Sequence, residues 1–275
     1  WEHITDVVVE NFEVKNWFAA GITFPTNFEL DDPERIVIRN TTITDVNETG
    51  IRMCTWIWNA GDDSGWRGGE DLIIEDNVID GANMYGIDCF TSTSLFDGNT
   101  IQNIALIENL NREGMGCGFT GNNCTENGAG FRLKVHLPGF SGHDNTIQYN
   151  TIHRVGMQGF DVFGPDNTLQ YNFIDEACTS KGDCGGIRTF GGSSFSSTSA
   201  VNITIADNII VDTLGNTDGC HPSFDALFGF GIYVDHYSDS ITVAGNTVLN
   251  STVAGVLIQN SRAEVTGSVL HNNAC

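Results

Sequence analysis

Positive charge is what this sequence has least of. Lys and Arg number 12 against 35 Asp and Glu, a formal net charge of −23. Such a chain lacks the basic stripe that phosphate backbones require, which argues against nucleic acid as a partner. The same acidity suits a soluble surface, Ca²⁺ ligation or a salty medium. No apolar run approaches the roughly 18 residues of a membrane-spanning helix, and no signal peptide is present. The 8 cysteines include no Cys-x-x-Cys pair, which argues against a four-ligand zinc site and leaves disulfides as the better reading. Cys117/Cys124 and Cys178/Cys184 are the short-range candidate pairs, and they imply an oxidising, extracellular setting. Five Asn-x-Ser/Thr sequons, at Asn40, Asn47, Asn123, Asn202 and Asn250, are consistent with secretion. His143, His153, His221 and His236 show no metal-ligand spacing. Proline is also scarce, at 5 residues in 275.

In place of these the chain carries 32 glycines and abundant Val, Ile, Thr and Asn. β-Branched residues suit a pleated surface, while Gly and Asn tolerate positive φ. Together they spell a repeat of two short segments, both too short for helices and alternating with period two. One segment is Asn-x-Ile/Val, as in Leu72-Ile-Ile-Glu-Asp-Asn-Val-Ile79 and Thr146-Ile-Gln-Tyr-Asn-Thr-Ile152. Its asparagine recurs at Asn77, Asn99, Asn150, Asn172, Asn208 and Asn246. Stacked one rung apart, about 4.8 Å, such side chains can form a hydrogen-bonded ladder where the chain turns. The other segment is Gly-apolar-x-apolar-x, as in Gly86-Ile-Asp88-Cys-Phe90, Gly159-Phe-Asp161-Val-Phe163 and Gly186-Ile-Arg188-Thr-Phe190. The spacing of 22 residues between Asn150 and Asn172 is short for two helices but enough for one coil of strands and turns.

This pattern resembles the generic repeat of right-handed parallel β-helix proteins. The resemblance covers nearly the whole chain and implies an all-β solenoid of about eight or nine coils in a single domain spanning residues 1–275. Trp1 opening on strand-like sequence and Cys275 closing inside a repeat lead to the expectation of an excised part of a longer chain, with continuation or self-association at the coil ends. Long insertions break the repeat at Thr55–Asp71, Asn103–Gly128, Gly191–Val201 and Gly215–Phe230, where function is to be sought.

Alternation puts the second and fourth residues after each glycine outside the coil. The first outward column reads Thr23, Arg52, Asp88, Arg132, Asp161, Arg188, Tyr233, Leu257. Arg and Asp alternate along it, either as a solvated ion-pair ladder that fixes register or as the floor of a groove for a polar polymer. The second column reads Cys54, Phe90, Lys134, Phe163, Phe190, Asp235, Gln259. Its rings either stack on sugars or lie covered by the insertions as a satellite core.

Lys181-Gly-Asp183-Cys-Gly-Gly-Ile-Arg-Thr-Phe190 is similar to an Asp-Gly-Gly-Ile-Tyr-Thr phrase of β-helix glycoside hydrolases, and Gly231-Ile-Tyr-Val-Asp235-His236 to their Gly-Ile-Tyr-Leu-Asp-Asp phrase. The resemblance implies a carboxylate pair, Asp183 and Asp235, with Asp161 in reserve. Cys184, Arg188 and His236 depart from those phrases. β-Helix polysaccharide lyases imply instead elimination next to a uronate carboxylate by Lys134, Arg132 or Arg188, with His136 as a further candidate and Ca²⁺ as a cofactor. Tyr85-Gly-Ile-Asp88 is similar to an alginate-epimerase phrase whose Pro and His are here Cys89 and Phe90. Arg52, Asp88, Phe90, Phe163, Phe190, Tyr233 and His236 complete the expected substrate-binding set. The sequence thus predicts an extracellular protein acting on a polysaccharide, with hydrolysis ahead of elimination, and a non-catalytic surface, adhesin or fibre module as the competing class.

Overall fold

The computed structural model describes residues 4–24, 33–53, 69–107, 128–134, 142–180, 182–216 and 227–273. Among them the single helical element is a 3₁₀ turn at Phe195–Ser197. The strands form three sheets of 9, 9 and 8, paired in parallel throughout. The first sheet runs from Val8–Glu10 to Ala263–Thr266, the second from Glu13–Lys15 to Val269–His271, and the third from Ile22–Thr23 to Ala254–Ile258. Each strand pairs with its counterparts one coil earlier and one coil later, so the chain winds as a three-faced parallel solenoid.

Most strands are three to five residues long, and alternation gives each a central inward side chain. Ile38, Ile74, Phe96, Ile147, Leu169 and Ile205 line the first sheet at 0% exposure, and Ile43, Ile79, Ile101, Ile152, Ile174 and Ile210 the second. Each such side chain contributes about 1.5–3 kcal/mol of burial. Phe96, Phe131 and Phe160 stack through the middle of the core at centroid distances of 4.8 and 5.6 Å.

Three left-handed residues per coil turn the corners. Between the first and second sheets Asp76, Gly98, Tyr149, Tyr171, Asp207 and Gly245 take φ of 53° to 66°. Corresponding residues recur at or just past the ends of the second-sheet strands (Asp45, Asn103, Arg154, Glu176, Asp212, Asn250) and before the first sheet (Asp71, Thr93, Asp144, Asp166, Asn202, Ser240). That demand accounts for the Asn, Asp and Gly content, since these residues enter the left-handed region at least expense. The expected asparagine ladder runs unbroken. From Asn77 through Asn99, Asn150, Asn172 and Asn208 to Asn246, each backbone N–H and side-chain Nδ2 donates to the next Oδ1 at 2.9–3.1 Å. A second ladder, Ser94–Asn145–Asn167, precedes the first sheet.

The glycine that opens each third-sheet segment has a steric cause. A Cβ on Gly86 would lie 2.3 Å from Ile101 Cγ2 and 2.5 Å from the Gly130 carbonyl one coil on. The expected Cys178–Cys184 disulfide is present and anchors the entry to strand Cys184–Phe190. Cys117/Cys124, Cys54, His136 and His221 lie outside the described residues, as does most of the insertions at 55–71, 103–128 and 215–230.

Candidate functional site

The register of the third sheet aligns Arg52 with Asp88, Asp88 with Arg132, Arg132 with Asp161, Asp161 with Arg188, Arg188 with Tyr233, and Tyr233 with Leu257. This is the first outward column in the order the repeat predicted. Its two longest strands, Cys184–Phe190 and Gly229–Asp235, lie side by side and carry Arg188, Phe190, Tyr233 and Asp235, with Asp183 and His236 at their ends.

The column falls into two ionic groups. In the earlier coils Arg132 grips Asp88 with a two-pronged contact, Nε to Oδ1 at 2.7 Å and Nη2 to Oδ2 at 2.8 Å. Its Nη1 donates to the Tyr85 hydroxyl, with the guanidinium 3.7 Å from that ring's centroid. Arg52 donates to Glu48 at 3.2 Å and stands 4.0 Å from Asp88. Burial alone would raise the Asp88 pKa, but Arg132, then Arg52 and Lys134, outweigh it and hold the carboxyl below its ordinary value.

In the later coils Arg188 donates to Asp161 through Nε at 2.9 Å, and its Nη1 stands 3.8 Å from Asp235. Asp235 Oδ1 accepts from the His236 backbone N–H and faces His236 Nδ1, each at 2.7 Å. The Tyr233 hydroxyl donates to Gln259 Oε1 at 2.7 Å and lies 3.3 Å from Asp183 Oδ1. Gln259 Nε2 in turn lies 3.4 Å from His236 Nε2. Burial, then the negative charges of Asp183 and Asp235, push the Tyr233 phenol far above its usual pKa, only partly offset by Arg188.

Burial corrects the picture of a solvated ladder. Asp161 is 0% exposed, Asp88 2%, Arg188 4% and Tyr233 3%. The second column is covered too: Phe90 and Phe163 are buried, Phe190 is half-buried, and Phe163 meets Phe190 edge-on at 6.1 Å. These rings therefore serve as a satellite core rather than as open sugar platforms. Lys134 Nζ lies 5.4 Å from the Phe163 centroid, and Arg188 stands over both Phe163 and Phe190. His236 has 35% of its side chain exposed, against 8% for the Asp235 beside it.

Among the described residues no group of three or more His, Cys, Asp and Glu is arranged to hold a metal ion. The column's carboxylates face guanidinium groups instead, a donor set that does not fit the expected Ca²⁺.

Neither a family model nor a curated protein matches the sequence. Among solved structures, the A-module of a mannuronan C-5 epimerase from Azotobacter vinelandii is similar at TM-score 0.62 and 15% identity, over 97% of this chain and 58% of that one. The chain is a right-handed parallel β-helix. A surface protein and adhesin of Streptococcus pneumoniae is similar over 98% of the chain and 66% of its own at TM-score 0.48 and 9% identity. The chain thus spans less than two thirds of the length of either neighbour.

Of the residues singled out beforehand, the β-helix brings Asp161, Asp183, Arg188, Tyr233, Asp235 and His236 into one cluster and Arg52, Asp88 and Arg132 into another, with Lys134, Phe163 and Phe190 packed between. Three members went unrecognised as site residues: Gln259, which links Tyr233 to His236, and Glu48 and Tyr85, which flank Arg52 and Arg132. Gln259 had a signal, since it occupies the second outward column beside Asp235.

Proposed function

We propose that this β-helix is an extracellular enzyme that cleaves an acidic polysaccharide by elimination next to a uronate carboxylate. The observation that carries the reading is the Asp235–His236–Gln259–Tyr233 chain, a histidine and a phenol joined through one amide. Asp235 holds His236 by Nδ1, which leaves Nε2 to act as base. His236 removes the proton beside the carboxylate, and the electron pair left on that carbon forms the double bond as the glycosidic C–O bond breaks. Tyr233 turns its hydroxyl from Gln259 Oε1 and gives its proton to the departing oxygen. Arg188 sets a positive potential beside the developing charge, and Lys134 offers a cation for a neighbouring uronate.

Hydrolysis by the pair Asp183 and Asp235 is less well supported. Asp235 accepts from the His236 backbone N–H and faces Arg188, Asp161 is gripped by Arg188, and Asp183 lies 3.3 Å from the Tyr233 hydroxyl, whose proton goes to Gln259. Asp235 and Asp161 are thus arranged as acceptors, and hydrolysis needs one carboxyl of the pair to give a proton. The epimerase neighbour's substrate, mannuronan, and the disulfide are consistent with an extracellular uronate polymer as target.

The test is digestion of polymannuronate, polyguluronate, polygalacturonate and a glycosaminoglycan. Unsaturated ends absorbing in the ultraviolet are expected from one of them, and Tyr233→Phe and His236→Ala should each lower the rate about 100-fold or more with unchanged melting. New reducing ends without absorbance would transfer the reaction to Asp183 and Asp235. No product from any polymer would favour a non-catalytic module whose ladder only sets register.

A further inference from the structure

A second feature lies away from the charged column, at the corner that follows the second sheet. Strands Glu13–Lys15, Thr42–Val46, Val78–Ala82 and Thr100–Ile104 are consecutive neighbours in that sheet. The residues at or just after their ends line an open trough of about 560 Å³. Four coils at about 4.8 Å per step make it about 14 Å long, parallel to the solenoid axis. Its two ends are apolar and its floor is polar. Trp17 and Phe18 form one end, 60% and 77% exposed, and Leu106 and Ile107 the other, with Ile107 56% exposed. Between them lie Asp45, Asn47, Gly81 and Asn83. Gly81, at φ +85°, fills the left-handed position that Asn16, Asp45 and Asn103 fill in neighbouring coils, and a Cβ there would lie 3.2 Å from Asp45 Oδ1.

We propose that this trough is a second, non-catalytic binding site for a short neutral oligosaccharide. An exposed indole offers a flat apolar face for the C–H face of a pyranose, and amides match sugar hydroxyls as both donors and acceptors. Asn47 Oδ1 accepts from Asn83 Nδ2 at 3.4 Å and its backbone N–H donates to the Trp17 carbonyl at 2.9 Å, while its side-chain Nδ2 has no hydrogen-bond partner among the described residues. Charge selects the class of sugar. The described lining carries the Asp45 carboxylate and no Lys or Arg, on a chain of net charge −23, so uronates and sulfated sugars are repelled here while neutral ones are not. This assignment does not depend on the reaction proposed above, because it uses none of the same residues and the opposite charge logic.

The test uses protein produced without N-glycosylation, since Asn47 opens an Asn-Glu-Thr sequon. Calorimetric titration with cellohexaose, xylohexaose and mannohexaose, against an oligomannuronate control, should find binding of at least one neutral oligosaccharide. Trp17→Ala should weaken that binding about tenfold or more, the loss of one good stacking contact, and Trp17→Phe should retain most of it. Asn47→Ala with Asn83→Ala should weaken it too. All of these variants should melt with the wild type, because the side chains are partly or largely exposed, and should keep any activity on uronate polymers. Absence of binding to every neutral oligosaccharide overturns the proposal, as does binding that survives Trp17→Ala or is tighter for the oligomannuronate. A Trp17→Ala variant that only abolishes self-association in sedimentation would reassign the trough to contact between copies of this chain.

Discussion

Asn172 shows what a single amide does in this fold. Its Nδ2 donates to Ile147 O at 2.9 Å and to Asn208 Oδ1 at 3.0 Å, while its Oδ1 accepts both the N–H and the Nδ2 of Asn150 at 3.0 Å. One side chain therefore ties its own coil to the coils on either side. Asn172→Ala strands the backbone N–H of Asn150 where water is excluded and takes one donor from the Ile147 carbonyl, while Asn150 Nδ2 keeps the Phe96 and Gln148 carbonyls. At about 1–3 kcal/mol per buried unsatisfied group, the expected loss is about 1–3 kcal/mol, measured by urea unfolding. Asn172→Asp keeps the acceptor but places a charge against two carbonyl-type oxygens, so it should be no more stable than alanine. A loss under about 0.5 kcal/mol for the alanine variant would mean that the ladder follows the coil rather than holding it. The ladder was legible beforehand because one residue type recurs at one position. The Ser94–Asn145–Asn167 ladder was not, because serine breaks the recurrence at its first rung. Nor was the left-handed backbone of Tyr149 and Tyr171, whose residue type suggests strand. The two rings stack at 5.2 Å only because both occupy the same corner.

At the scale of the sheet, the outward column was read in its true order because glycine marks the start of every third-sheet segment and alternation has no freedom after that. Burial is different in kind. It depends on what lies above the sheet, and the insertions carry no period from which that could be read. The part of the 191–201 insertion that is described shows the consequence. Gly191 N–H donates to the His236 carbonyl at 2.9 Å, and Phe195 packs edge-on against Tyr237 at 5.3 Å, so the insertion lies directly beside the later cluster. Covered ion pairs have consequences that solvated ones lack. Asp88→Asn keeps the shape of the side chain but leaves Arg132 and Arg52 without their shared counter-charge, and removing one partner of a buried pair costs about 3 kcal/mol or more. The pH dependence follows from the lowered Asp88 pKa. A carboxyl whose folded pKa lies below its unfolded value of about 3.9 stabilises the protein above that pH, and the contribution is lost as pH falls through the folded pKa. Urea midpoints measured across acidic pH should therefore fall more steeply below about pH 4 in the wild type than in Asp88→Asn. Parallel curves for the two proteins would remove Asp88 from the acid response.

Over the whole molecule the charges pull against each other. The net charge is −23, with a sequence pI near 4.3, yet the third sheet gathers Arg52, Arg132, Lys134 and Arg188 on one face. An acidic polymer approaching from solution meets the repulsion of the entire surface first and the local cations last. Salt screens these two effects at different distances, because the Debye length is about 10 Å at 0.1 M, while contacts made at a covered face are screened far less. Binding of a uronate polymer should accordingly strengthen as ionic strength rises from about 0.01 M to about 0.1 M and weaken toward about 1 M, when the contacts themselves are attenuated. A neutral oligosaccharide in the Trp17 trough should show almost no dependence over the same range. Titrating both ligands across that range separates the two surfaces without any substitution. A uronate affinity that only falls from the lowest salt upward would mean that the local cations govern the encounter at every distance, and that the acidity of the remaining surface has no part in it.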